Sequence, residues 1–527
     1  MGTLPEASFL VGLSSVLWRE AWKYGERAFR YCQHDVGHAV GTLRFAAAAL
    51  GWRLFLLDRV GCVAQLLGLD RDADYAGAER EHPELLAAVV RGSWTSDRGL
   101  CLSNGGSIAS RWYGTANVLS PAHGVEWPLI DHVAAATTPA TTSVEEDFSG
   151  FPTQMVAEQP SASGGFSAER VILGRRSAVS MDASTSISSA TFFRMLARLV
   201  PTRDRRSVPW DAIPWRPRIH LGLFVHRVDD LSPGLYALAR DPAKVEALRQ
   251  AMQPDFLWQR PPSCPHELPL YLLKAGDCRA LAARVSCGQD IAGDGAFSLG
   301  MIADYMNSIV TYGASFYRSL FWEAGLVGQV LYLEAEEAGI RATGIGCYFD
   351  DPVHSTFGIR SRDWQSLYHF TLGGQVDDSR LTTLPAYKAE PNEHDDDDVK
   401  ANAMKYIPLL IEFVDRTNIY REPDITPQLP IVQNGPPGTF VIFSDGTRVP
   451  VPTDQVVFAD DTGGCARVGF GGMRFDGLEE GRLVFHRIRD LEPEHMLSPE
   501  RGRKMTFETR MVSSISVDGR PTWPVDD

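Results

Sequence analysis

Three short runs hold side chains whose types and spacing suit chemistry on a charged or planar molecule. Arg175-Arg176-Ser177 sets two guanidiniums and a hydroxyl together, just after a helical start at Ser167, a good N-cap residue. Such a trio can clasp a phosphate by charge-assisted, bidentate hydrogen bonds, although two surface arginines are the plainer reading. Gly344-Ile345-Gly346 falls between an expected helix and an expected strand, where bare backbone can approach a planar ligand. A GxG triplet alone is a weak signal. Lys23-Tyr24 places an ammonium beside a phenol at an expected helix start, a pair able to polarise a substrate or act as acid and base. Spacing alone favours a core tyrosine with a lysine on the rim.

His34-Asp35-Val36-Gly37-His38 has two histidines at i and i+4 with an acid between them, as in zinc hydrolases of HExxH type. An internal repeat argues against a metal. At a constant separation of 288 residues, 8–53 aligns without a gap on 296–341. Gly12/Gly300, Gly25/Gly313, Gly37/Gly325 and Gly51/Gly339 are among the identities, and glycine marks backbone geometry rather than helix propensity. His34 and His38 then correspond to Trp322 and Leu326, which bind no metal, so a packed histidine pair is expected. Further on, Leu67-Gly68-Leu69 lines up with Phe357-Gly358-Ile359.

The elements that must position these residues are clearest in the second copy. Helices are expected from Ser167, over 188–199 and over 321–338, the last apolar nearly all round. Strands are expected over 219–226, after the turn at Pro233-Gly234, over 296–305, over 343–349 and over 366–372. The mixture gives an α+β fold. Position 175 less 288 falls before residue 1, so the first copy lacks the opening half of the second. Either the N-terminus is truncated or the first copy has degenerated. The first copy's opening strand, over 9–13, is expected to be central in its sheet and to be left either paired with the 296–305 region or exposed. Residues 134–166, rich in Thr, Ser, Pro and Gly, read as a linker or wrapping arm. The run Glu393-His394-Asp395-Asp396-Asp397-Asp398 reads as solvated linker, and 399–414 as a helix divided by Pro408. Turns at Asp445-Gly446 and Asp518-Gly519 mark a β-rich C-terminal module. The domains are thus 1–133, a linker 134–164, 165–388, an acidic linker and helix 389–434, and the module 435–527.

Composition narrows the function classes. With 527 residues, 44% apolar and 22% charged, the chain is neither disordered nor a membrane bundle. A net charge of −15 disfavours nucleic acid as a partner. No apolar run is long enough to span a membrane, and no signal peptide is evident. Eight cysteines without CxxC pairs fit a reducing cytoplasm with buried thiols.

The pieces together resemble the nitroreductase superfamily, in its SagB/ThcOx-type flavin dehydrogenase branch. Lys23-Tyr24-Gly25-Glu26-Arg27-Ala28-Phe29-Arg30-Tyr31, followed by Gly37-His38, is similar to that branch's KYGxRxxRY…GH signature. Arg175-Arg176-Ser177 resembles the superfamily's flavin-phosphate motif, Pro233-Gly234-Leu235-Tyr236 its PGLY turn, and the strand beginning Leu367-Tyr368-His369 its closing strand. The resemblance implies an FMN-binding α+β fold that dimerises around the flavin, here as an intramolecular pseudo-dimer of a partial first copy and a fuller second. It implies that Arg175, Arg176, Ser177 and Arg380 hold the FMN phosphate, that Gly344, Ile345 and Gly346 run beside the flavin ring, and that Lys23 and Tyr24 are catalytic. The departures are Val179 in place of a further arginine, no recognisable partner-contact segment before Ile219, and Leu56-Leu57-Asp58 where the first copy would need its own GxG. At most one FMN site per chain is expected. The function implied is an FMN-dependent oxidoreductase acting on a small molecule or modified peptide, including dehydrogenation of azoline heterocycles, alongside other subunits of a biosynthetic complex. The alternative is a non-catalytic scaffold or partner subunit with an incomplete flavin site.

Overall fold

Glycines set the corners of this chain, and the elements between them follow an order that occurs twice. The computed structural model describes residues 8–57, 63–92, 114–120, 123–138, 146–153, 167–203, 207–378 and 380, together with strand backbones between 408 and 521. Two units, Met1–Ala386 and Tyr387–Asp527, make up the chain.

The first unit opens with β1 (Ser8–Ser15), α1 (Trp18–Tyr24), α2 (Ala28–Ala49), β2 (Trp52–Leu57), α3 (Val63–Leu67), β3 (His82–Arg91) and α4 (Pro128–Ala136). Then come α5 (Ala168–Gly174), α6 (Ser189–Arg198), β4 (Ile219–Val225), β5 (Gly234–Leu238), α7 (Val245–Ala251), β6 (Leu270–Ala275), α8 (Arg279–Val285) and α9 (Ile291–Asp294). It closes with β7 (Phe297–Asp304), α10 (Tyr305–Tyr312), α11 (Phe316–Glu337), β8 (Arg341–Ile345), α12 (Asp350–Phe357) and β9 (Trp364–Gly373). All pairing within its two sheets is antiparallel, so the class is α+β. One sheet has the order β1-β3-β2, the other β6-β5-β4-β7-β9-β8. The last three strands of the second repeat the order of the first.

α2 and α11 have 22 residues each, and a shift of 288 carries the bounds of one onto those of the other. Each follows a short helix ended by a glycine of positive φ, Gly25 at 58° and Gly313 at 85°. The turns that leave the long helices use Gly51 and Gly339, both at φ 73°. A side chain with a Cβ is strained there, so glycine is the residue that permits these corners. Ser167 and Ser188 cap α5 and α6, their side chains accepting from the N–H groups of Arg170 and Thr191.

The two long helices cross at glycine. A Cβ on Gly37 would lie 2.2 Å from the Trp322 carbonyl oxygen, and one on Gly325 would lie 2.1 Å from that of His34. Positions 34 and 322 are themselves 288 apart, so the contact is reciprocal, as in an isologous interface. Around it Gln33 accepts from Trp322 Nε1 at 2.7 Å and donates to Glu84 at 2.8 Å, and Glu84 accepts from Arg318 at 2.6 Å. This network is buried, so each polar atom in it needs its partner.

Several expectations change. β1 is an edge strand, not a central one: its only partner among the described residues is β3, and none of its residues is buried. β7, by contrast, lies between β4 and β9 and is buried throughout. The strand expected over 343–349 stops at Ile345, and the helix expected from 321 begins at Phe316. Of the two readings of the segment after 134, a linker or a wrapping arm, the described residues 146–153 pack as an arm. Phe148 and Phe151 are buried in the main core, and Glu146 accepts from both Arg218 and Tyr312.

In the second unit, the helix expected over 399–414 is replaced in its described part by a strand, Pro408–Glu412, paired antiparallel with Phe440–Phe443. Proline is tolerated as a strand's first residue, whereas inside a helix it removes a hydrogen bond. The rest of that expected helix lies outside the described residues, as does the acidic run at 393–398. Hairpins form across Asp445-Gly446 and Asp518-Gly519. A four-stranded antiparallel sheet includes Gly471–Glu479, Arg482–Arg489 and Gly502–Glu508.

Because a Cβ at the crossing has only backbone to displace, Gly325→Ala should destabilise the first unit by about 1–3 kcal/mol or more. Urea denaturation followed by tryptophan fluorescence measures this. An unchanged midpoint would show that the helices pass farther apart.

Candidate functional site

The segment after α5 runs alongside β8. Ser177 and Ala342 form a parallel bridge, the Ala178 N–H donates to the Ala342 carbonyl at 3.0 Å, and Thr343 donates to the Ala178 carbonyl at 2.7 Å. Arg175, Ser177 and Gly344 thereby converge on one side chain of α11. The Arg175 guanidinium lies over the Tyr332 ring at 4.7 Å. The Tyr332 hydroxyl accepts from the Gly344 N–H at 3.1 Å and shares a hydrogen bond with Ser177 at 2.9 Å.

This corner carries positive charge. Arg341 is held below its ordinary pKa by burial and by the like charges of Arg176 and Arg175. Arg341 pairs with Glu336, and its Nε donates to Gln375 at 2.8 Å. Arg176 turns back to its own helix end, donating to the carbonyls of Leu173 and Arg175 at 3.0 and 2.8 Å. Arg175 has no carboxylate partner among the described residues. Like-charged guanidiniums gathered this way suit an anion. Arg380 does not join them. It forks onto Asp378 at 2.7 Å and is 86% exposed.

Opposite Tyr332 stands α2. His38 Nδ1 lies 3.1 Å from Gln329 Oε1 and its Nε2 3.3 Å from the Tyr368 hydroxyl. His34 stacks on the Tyr368 ring at 4.0 Å, and neither of its ring nitrogens has a partner. Burial holds the pKa of His38 down to about 4 and that of His34 well below 6.5, so both rings are neutral. The two histidines pack between helices. Among the described residues, no group of three or more His, Cys, Asp or Glu is placed to hold a metal ion.

Glycine at 344 and 346 has a reason the sequence did not supply. A Cβ on Gly344 would lie 2.0 Å from the Tyr368 hydroxyl, and one on Gly346 would lie 2.5 Å from the Tyr31 ring. The chain's own tyrosines press on these positions. Ile345 is buried and pairs with His369. Lys23 and Tyr24 end α1 instead of starting a helix. Lys23 Nζ sits 5.2 Å from the Tyr24 ring, which meets Tyr31 edge-on at 4.7 Å. Both are exposed at the surface. Tyr31 thus joins the Lys23-Tyr24 pair to Gly346. Arg27 fastens the same loop, donating to the carbonyls of Gly346 and Tyr348 and to Asp350 at 2.7 Å.

For FMN, the residues fit the phosphate: Arg175 is a cation without an acidic partner, set beside Arg176, Arg341 and the Ser177 hydroxyl. At the ring end, the Cβ sides of Gly344 and Gly346 are filled by Tyr368 and Tyr31, which leaves only their other faces to a planar ligand. Reasoning from sequence missed Tyr31, Gln329, Tyr332, Tyr368 and Arg341. Tyr31 and Tyr368 stand within the quoted motifs without a role assigned, and Gln329, Tyr332 and Arg341 lie one helix face or strand away from them.

No protein-family model matches the sequence, and no curated protein matches it. Solved structures do. The structures similar to this chain include nitroreductases. A protein of Anabaena variabilis named as a nitroreductase is 20% identical, covers 70% of this chain and 69% of its own, and has a TM-score of 0.48. The Escherichia coli microcin synthetase McbBCD complex with truncated pro-MccB17 bound is 17% identical over 43% of this chain and 79% of that one, with a TM-score of 0.28. The NADPH:FMN oxidoreductase of Vibrio harveyi, complexed with NAD+, is 15% identical over 44% and 81%, with a TM-score of 0.22. Among the described residues, no helix is long and apolar enough to cross a membrane.

The buried histidines give the first unit a pH signature. His38 and His226 titrate at about 4, and His220 and His369 at about 3, each lowered first by burial. Their unfolded value is near 6.5, so the unfolded chain binds more protons below it. Stability is therefore full above about pH 6.5 and falls as pH drops toward 4, by up to about 1.4 kcal/mol per pH unit for each histidine. Denaturation midpoints at pH 7, 6 and 5 check this, and a flat profile would contradict the burial.

Proposed function

We propose that this chain is an FMN-dependent oxidoreductase of nitroreductase type, with one flavin site where α2, α11, β8 and the 175–177 segment meet. The observation that carries the reading is the guanidinium of Arg175, without an acidic partner among the described residues and beside two further arginines. Bound FMN supplies two-electron hydride chemistry that side chains lack. Arg175 and Arg341 would hold the phosphate, with Arg176 and Ser177 beside them. Tyr332, bonded to both Ser177 and Gly344, keeps the phosphate end and the β8 end in register. His38, neutral and tied to Gln329 and Tyr368, holds those side chains without adding charge next to Arg175.

Lys23 and Tyr24 are the proton-handling pair of this proposal. Their exposed position beside Tyr31 suits them to acid–base work, in which the unprotonated form of either, the Lys23 amine or the Tyr24 phenolate, would take the proton that leaves a substrate during dehydrogenation. The lysine–tyrosine signature supports an azoline ring in a modified peptide as substrate, presented by other subunits of a biosynthetic complex. The two halves around the Gly37–Gly325 crossing act as an intramolecular pseudo-dimer.

One observation favours a second reading, a flavin-free scaffold: Tyr368 and Tyr31 occupy the Cβ sides of the two glycines. The absorption spectrum of purified protein separates the two, since an oxidised flavin absorbs near about 450 nm. In the flavin reading, Arg175→Ala removes a charge-assisted contact of about 1.5–3 kcal/mol and weakens FMN binding on the order of ten- to a hundredfold. Arg176→Ala, whose side chain already serves its own helix end, should cost less. Equal FMN affinity in wild type and Arg175→Ala would place the phosphate elsewhere.

A further inference from the structure

Five cysteines have described side chains, and all five are free thiols. Three are occupied or enclosed. Cys32 is buried, Cys278 is buried with Sγ donating to the carbonyls of Val225 and Gly234, and Cys264 donates to those of Pro265 and Leu268. Cys287 and Cys347 differ. They come from separate loops, after α8 and after β8, and the loops are laced together. The Phe349 N–H donates to the Val285 carbonyl at 2.8 Å. Gln289 Nε2 donates to the Cys347 carbonyl at 3.0 Å and to the Ser286 carbonyl at 2.8 Å. These ties bring Cys287 and Cys347 together as direct neighbours. Cys347 is exposed and Cys287 half-buried.

We infer that Cys287 and Cys347 form a reversible dithiol–disulfide site, oxidised by low-molecular-weight disulfides such as oxidised glutathione. A disulfide needs two Cβ vectors that converge from a fixed backbone, and the laced loops supply one. Cys287 also sits at φ 59°, a conformation costly for a residue with a Cβ, so its loop is held there by the surrounding contacts. Cys347 is the exposed thiol and so meets the small disulfide first, while burial and the neighbouring Cys347 push the Cys287 thiol up to about 12. The Cys347 thiolate attacks one sulfur of the small disulfide and expels one small thiolate, giving a mixed disulfide. Cys287 then loses its proton to water, attacks the Cys347 sulfur and expels the second small thiolate. Two protein thiols are oxidised and one small disulfide is reduced to two thiols.

The site's position gives it a consequence. Cys347 directly follows Gly346, whose carbonyl is held by Arg27 and whose Cβ side is covered by Tyr31. A bond to Cys287 would fix the end of β8 against the α8 loop, beside the Lys23-Tyr24 pair. This site is independent of whether flavin binds.

Reduced full-length protein incubated with oxidised glutathione, then alkylated and digested with trypsin, tests it. Cleavage at Arg284, Arg318, Arg341 and Arg360 isolates the two cysteines on peptides 285–318 and 342–360. The expected result is a linked pair of these peptides, lighter by two hydrogens, with alkylation of both falling at least about tenfold and dithiothreitol restoring it. Cys287→Ser should instead stop at one glutathione on Cys347. Glutathione on Cys347 of the wild type with no linked peptide would overturn the proposal, as would continued alkylation of both.

Discussion

The contact on which the first unit depends is the approach of two helix backbones at Gly37 and Gly325. Each glycine receives a carbonyl oxygen from the opposite helix where any other residue would place its Cβ. That closeness brings His38 within reach of Gln329 and Tyr368, and sets Gln33 against Trp322. A wider crossing would separate Tyr31 from Gly346 and leave the Gln33–Glu84–Arg318 network unpaired in the interior, where unmet polar groups are costly. The fold and the candidate site therefore share one geometric requirement.

The two sides of the crossing are alike in element order and unlike in what covers them. β7 is flanked by β4, and the backbone N–H groups of Arg218 and Ile219 donate to Glu323 of α11, as does Trp215 at 3.1 Å. Buried Arg240 pairs with the same carboxylate. On the other side β1 has no β4 counterpart among the described residues, and Asp35, the position matching Glu323, is exposed. The cationic corner follows the same asymmetry: it is built from residues before and after α11, and buried Leu56 and Leu57 of β2 stand where β8 has Gly344 and Ile345.

Much of this was legible in the sequence because glycine reports backbone geometry. Gly25, Gly51 and Gly68 have positive φ, and so do their matches Gly313, Gly339 and Gly358. Ser167 and Ser188 marked helix starts by their capping oxygens. The strand over 296–305 followed from its mostly apolar residues. What was not legible depends on tertiary contact. Nothing local in Phe9–Leu13 says that its sheet neighbour is missing on one side. Nothing in the GxG triplet says that two tyrosines distant in sequence, Tyr368 and Tyr31, rather than a ligand alone, demand glycine there. Tyr368 and Tyr31 reach those positions only after β9 pairs with β8 and α2 crosses α11. Nor does sequence alone say that Asp378, two residues away, takes the Arg380 guanidinium.

The central claim is one flavin site per chain, on the side of the crossing that carries Arg175. The most direct measurement is the amount of flavin released from denatured, FMN-reconstituted protein, divided by the protein concentration. The account predicts one FMN per chain. Two per chain would mean that the N-terminal half holds a site of its own, and none after reconstitution would mean that the tyrosines at Gly344 and Gly346 close the pocket.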